Sequence, residues 1–210
     1  MTLTSRVDEL AVLHGDLFCG RAARSVPGMR AHAQFEKGGR SMTHTDQPDP
    51  KSGAIPPLSF VTLGMMFVAG AVGTMGFDLW GQLISPGFGF AALSPHGLAR
   101  SLLGSFGLPN GDFAGYFVHF YIVGLIGYPV GWLFVFAPVW YRVTGGVGGW
   151  PVASLVYGFG LWVFAIGGVT VVAGLPFFLN FTGITWVALV GHVIYGVVMV
   201  AVMQMIRPRG

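Results

Sequence analysis

The chain has 210 residues, 53% hydrophobic and 9% charged, with a mean hydropathy of +0.69. That balance excludes a water-soluble globule and leaves an integral membrane protein. The formal net charge of +3 does not point to nucleic acid: seven of the eleven Lys and Arg residues precede Pro56, scattered among Asp8, Glu9, Asp16 and Glu36.

Residues 1–56 are polar and end in a piece rich in Pro, Asp and Ser, so they read as a flexible tail. No apolar run in the tail resembles a secretory signal, and its acidic residues argue against a transit peptide. The single cysteine, Cys19, excludes an internal disulfide and any multi-cysteine metal or iron–sulfur site within one chain. Lys37-Gly38-Gly39 can be encoded by a purine-rich ribosome-binding sequence, and Met42 follows at a suitable spacing, which gives a second reading with a native start at Met42.

A helix needs roughly 20 apolar residues to cross the hydrocarbon core, and the segments 58–84, 113–139, 151–179 and 184–205 within a 57–206 domain meet that length. Transmembrane strands would show shorter stretches of alternation, whereas 187–202 is apolar on every face apart from His192 and Tyr195. The predicted fold class is all-α, a polytopic membrane four-helix bundle. Span one holds Asp78, one of two carboxylates beyond residue 50. A charge at such depth is costly and turns toward a protein interior, a polar partner or a water pathway.

In the loop after span one, Ser94 as N-cap, Pro95 at the first helical position, a stop at Gly107 and Pro109 beyond it predict a short amphipathic helix. Leu98, Leu102, Leu103 and Phe106 share one face of it, placing it along the membrane surface or against the bundle. Arg100 on this helix reads as an interfacial anchor, with pairing to Asp78 or to an anionic ligand as the alternative. Span two carries His119. Trp140, Tyr141 and Trp150 bracket the following turn as headgroup-level anchors, and that glycine-rich turn lacks the lysine of a phosphate loop. Pro129 and Pro176 predict kinks that free carbonyls for a cavity or for neighbouring Ser and Thr. Thr170 lies on span three, His192 and Tyr195 on span four, and residues 207–210 form a basic end. Lys51, Arg142, Arg207 and Arg209 share one side and Arg100 the other, which predicts both termini in the cytoplasm.

With that orientation Asp78 and His119 lie at similar depth in the outer half, and His192 somewhat deeper, with Thr170 and Tyr195 as hydrogen-bonding partners. The layer suits several chemistries. His119 and His192 are a candidate axial pair for a b-type haem; Asp78 with both histidines is a candidate divalent-metal site or proton relay, since histidine titrates near neutral pH. The simplest role is interhelical hydrogen bonding that fixes packing, which Gly70, Gly73, Gly76, Gly124, Gly127, Gly131, Gly158, Gly160, Gly167 and Gly168 also favour by letting backbones approach.

The piece Ala69-Gly70-Ala71-Val72-Gly73-Thr74-Met75-Gly76-Phe77-Asp78-Leu79-Trp80, with His119-Phe120-Tyr121, Gly174-Leu175-Pro176-Phe177-Phe178 and His192-Val193-Ile194-Tyr195-Gly196, resembles a set of small four-helix bacterial inner-membrane proteins grouped under domain-of-unknown-function labels. The resemblance covers about 58–205. It implies the architecture, a bacterial inner membrane, and Asp78, His119 and His192 as signature positions. It brings no activity.

The leading expectation is a non-catalytic accessory, assembly or scaffold component of a larger membrane complex, surrounded by lipid and joined to a membrane-protein partner or to further copies of itself. No cofactor is required by that reading. The alternatives are a proton-linked small-solute transporter or channel using the Asp/His site, and a b-haem electron-transfer subunit. An enzyme is disfavoured, because Ser85, Ser94, Ser101 and Ser105 lack the strained turn of a nucleophile. For the start at Met42, the expected outcome is that native peptides begin there; peptides mapping within residues 1–41 would overturn it.

Overall fold

Continuous hydrophobicity over more than 20 residues forces helix in a bilayer, since only a helix satisfies its own backbone without water. A computed structural model describes residues 55–207 and contains no strand among them. The tail with Met42, and Arg209 at the other end, lie outside the described residues. Among the described residues four helices are long and apolar enough to cross a membrane: α1 (Phe60–Gly87), α3 (Asp112–Thr144), α4 (Gly149–Val172) and α5 (Gly183–Ile206). The fifth helix, α2 (Pro95–Ser105), lies in the connection between α1 and α3. The protein is thus an all-α, multi-pass membrane protein.

The helix ends follow local chemistry. Ser59 caps α1 by accepting from the Thr62 amide at 3.1 Å. Ser94 occupies the N-cap position of α2 without a side-chain capping bond, and the helix stops at Ser105, just ahead of Gly107 at φ +67°. Span three ends earlier than its hydrophobicity predicts, at Val172 rather than near residue 179. The reason is a Schellman closure: Gly174 takes φ +73°, its amide reaches the Val171 carbonyl at 3.0 Å, and the Leu175 amide reaches the Thr170 carbonyl at 2.8 Å. Pro176 then prevents resumption. Its effect is a helix end and not a kink.

Beyond Pro176 the chain makes an uncommon left-handed turn, with φ of 46° to 55° at Phe178, Leu179, Asn180 and Phe181. Such a backbone costs about 1–2 kcal/mol per L-residue, so surrounding contacts must hold it. They do: the Phe178 ring is buried against Trp162 at 4.7 Å, and the Phe178 carbonyl accepts from the Thr185 hydroxyl at 2.6 Å.

α5 is the central helix, packed along both α1 and α4, while α3 packs on α1. Thr185, Ala188, His192, Tyr195, Met199 and Met203 recur at three- and four-residue spacing and are all buried. Without a hydrophobic force between helices in lipid, close backbone approach supplies much of the packing. A Cβ on Gly70 would sit 2.6 Å from the Gly124 carbonyl, and one on Gly158 would sit 2.7 Å from the His192 carbonyl. Gly160 and Gly168, in contrast, meet nothing within 4 Å and face outward.

α3 holds the most informative departure from regular helix. Over Phe117–Gly127 and again over Gly131–Phe136 its turns widen, with amides bonding five residues back, as the Tyr128 amide does to Val123. In that register Pro129 would have served the Gly124 carbonyl, but proline has no N–H. The Tyr195 hydroxyl of α5 takes its place at 2.6 Å. The freed carbonyl is thus satisfied by a tyrosine from another span and not by Ser or Thr.

Tyr195→Phe is expected to destabilise the bundle by about 1–2 kcal/mol, because a buried carbonyl loses its only added donor; Tyr121→Phe, at an exposed ring, should change little. Unfolding in mixed micelles would measure both. By the same assay Gly158→Ala should cost about 1–3 kcal/mol through overpacking, whereas Gly160→Ala should be neutral or gain up to about 1 kcal/mol in helix propensity.

Candidate functional site

Asp78 lies where α1 passes from regular turns into the wide turns of Leu79–Ile84, on the flank facing α3. Its Oδ1 accepts from His119 Nε2 at 3.0 Å and from Gln82 Nε2, one turn further along α1, at 2.9 Å. A carboxylate oxygen only accepts, so His119 carries its proton on Nε2 and leaves Nδ1 as the lone-pair nitrogen in the neutral ring. The side chains of Asp78 and His119 remain 27% and 13% exposed, and Gln82 is exposed. Gln82 and Asp78 sit at the outer edge of the α1–α3 seam, while His119 behind them also lines the cavity that His192 lines.

His192 belongs to the interior. The residue is 4% exposed, and its Nδ1 donates to the Ala188 carbonyl one turn back on α5 at 2.7 Å. Phe77 contacts both imidazoles, its ring centroid 6.0 Å from His119 and 5.0 Å from His192, edge-on to the latter. Among the described residues no three His, Cys, Asp or Glu side chains gather as metal ligands. The sequence-predicted layer therefore divides into a hydrogen-bonded pair, Asp78 with His119, and a separate histidine, His192.

The expected partners of that layer are occupied elsewhere. Thr170 is buried and bonds the Ile166 carbonyl of its own helix at 2.6 Å, and Tyr195 serves Gly124. Arg100 pairs with Asp112 and donates from Nε to the Asn110 carbonyl at 2.8 Å, tying α2 to the start of α3 and leaving Asp78 to His119. Gly115 makes that seat available, because a Cβ there would stand 2.6 Å from the His96 carbonyl. Trp140, Tyr141 and Trp150 do flank the turn between α3 and α4, where four glycines take positive φ, but the Trp140 indole nitrogen is buried without a partner.

Three contributors escaped the sequence reading. Gln82 was detectable in principle, being four residues from Asp78 on one helix face. Phe77 gave no signal, since an aromatic residue in an apolar helix is ordinary. Tyr128 is the third: it lies beside His192, ring centroids 6.3 Å apart, and against Tyr195 at 5.2 Å.

No family model matches this chain, and neither a curated protein nor a solved structure matches it. Its chemistry rests on geometry. A carboxylate held by an amide and an imidazole offers a further acceptor oxygen and a polar face at membrane depth. It has no nucleophile and no preformed metal shell.

In the neutral form of each ring, opposite tautomers are expected, Nε2–H at His119 and Nδ1–H at His192. Imidazole nitrogen NMR on labelled protein would read this directly, and Asp78→Leu should release His119 from its preference without altering His192.

Proposed function

We propose that this protein is a non-catalytic accessory or assembly component of a larger membrane complex, docking through the Asp78–Gln82–His119 face. One observation carries the reading: an ionisable, hydrogen-bonded trio reaches the outside of the bundle at membrane depth, through exposed Gln82 and partly exposed Asp78. Such groups normally face the interior of a helical assembly. A trio turned outward fits a bundle whose interior is completed by another protein, with a transmembrane helix presenting a Ser, Thr, Asn or basic side chain to the remaining Asp78 oxygen.

The setting belongs to the same proposal. Arg142 and Arg207 lie at one end of the bundle and Arg100 at the other, which supports both termini in the cytoplasm of a bacterial inner membrane. The resemblance to small four-helix inner-membrane proteins agrees with that placement. A proton-linked carrier using Asp78, His119 and His192 is less well supported, because Phe77 contacts both imidazoles and His192 is bonded to its own helix. A haem subunit is tested below.

Purification in mild detergent from native membranes is expected to recover a second membrane protein in fixed ratio. Asp78→Leu combined with Gln82→Leu should retain the helical circular-dichroism signal yet recover at least tenfold less of that partner. Isolation only as a free monomer or self-oligomer, across growth conditions, would overturn the proposal.

A further inference from the structure

Between α3 and α4, beneath α2, the bundle forms a partly open cavity of about 440 Å³. Sites for small molecules span roughly 300–1,000 Å³. The inner halves of these two helices are joined by aromatic packing, Trp132 and Phe136 against Tyr157 at 5.3 and 5.0 Å, and by the Tyr157 hydroxyl on the Tyr128 carbonyl at 2.5 Å. Nothing comparable fills the other half. There Leu98 and Leu102 of α2 form a roof, and Val123, Ile166 and Ala188 line the walls.

The lining dictates the class of occupant. It contains no Asp, Glu, Lys or Arg, so an ionic solute would find no countercharge. Phe164 lines the cavity and is 62% exposed, so this wall is also the lateral face of the bundle, and entry from lipid is shorter than entry from water. Of the polar side chains in the lining, Thr74, Ser101 and Tyr195 are bonded to carbonyls, Ser94 to His96 and His119 to Asp78, which singles out His192. His192 donates from Nδ1 to a carbonyl, which leaves Nε2 an acceptor, and that nitrogen makes no hydrogen bond with any described residue. His192 is one of the residues that line the cavity. Tyr128 lines the same cavity, and its hydroxyl likewise makes no bond with a described residue. A ligand hydroxyl both donates and accepts, and so answers both groups.

We propose that the cavity beneath α2 binds one uncharged, membrane-partitioned molecule with an apolar body and a hydroxyl that donates to His192 Nε2. His119 lines the cavity as well as meeting Asp78, so the two sites adjoin there, but Asp78 and Gln82 do not line the cavity and the ligand contact rests on His192. Partner recovery and phenol binding are read by separate assays, so failure of one reading is distinguishable from failure of the other.

The full chain in nanodiscs, titrated with 4-hexylphenol and with its methyl ether 4-hexylanisole, supplies the test by native mass spectrometry. Expected is one saturable phenol per chain, with the ether about tenfold weaker for want of a donor. His192→Leu should remove the preference, and Val123→Trp should fill the space and abolish saturable binding of both. In the unaltered protein, phenol and not ether should shift the His192 Nε2 resonance. Equal binding of the two probes means a void for acyl chains alone, and overturns the proposal. An unmoved Nε2 resonance does the same, as does a preference that survives His192→Leu. A Soret band after growth with ample haem would assign Nε2 to iron and overturn it too. Gln82→Leu, at an exposed residue outside the lining, should leave phenol binding intact.

Discussion

The hydrogen bond from Tyr195 to the Gly124 carbonyl organises this bundle. Pro129 removes the amide that would have served that carbonyl, and in lipid no water is present to replace it. A donor must come from another helix, and α5 provides it only in one rotation and at one height. That rotation turns Met199 and Met203 into the same packed face and sets His192 one turn away from Tyr195. It also places Gly158 of α4 against the α5 backbone and Gly73 of α1 against the Tyr195 ring. A single missing N–H in α3 thus fixes how three other spans meet.

The same arrangement separates the two polar features. With α5 held in this rotation, His192 faces the space between α3 and α4, while Asp78 lies on the other flank of α1 and meets His119 at the seam with α3. Phe77 fills the ground between the imidazoles. A polar layer at one depth therefore becomes a hydrogen-bonded pair reaching the surface at Asp78 and an interior imidazole at His192, with His119 and His192 both lining the cavity. The α2 helix completes the second feature. Its salt bridge from Arg100 to Asp112 and its seat on Gly115 hold it over the cavity, with Leu98 and Leu102 pointing down.

Much of the fold was legible because bilayer physics is severe. Hydropathy located all four spans, and the Ser94-Pro95 start with the Gly107 stop located α2. The one substantial boundary error, at the end of span three, arose because 173–179 is apolar and continued the hydrophobic signal. Gly174 and Pro176 overrode it through backbone geometry, which hydropathy does not see. The left-handed turn at Phe178–Phe181 was invisible for a related reason: it is held by Thr185 and Trp162, residues on neighbouring elements. Asp78 and His119 were matched by depth, and they do meet. His192, matched by the same argument, does not join them, because depth along a helix says nothing about its azimuth.

Span number, helix location and the depth of each ionisable residue follow from the order of amino acids alone, since each depends on length, hydropathy and the fixed rise of a helix. Which side chains face one another does not. That was decided by packing: the contacts at Gly70, Gly124 and Gly158, the rescue of the Gly124 carbonyl by Tyr195, and the wide turns of α3 set the rotation of every span. Rotation alone converts Asp78, His119 and His192 from three residues of similar depth into a hydrogen-bonded pair at the α1–α3 seam and a separate imidazole in the cavity wall.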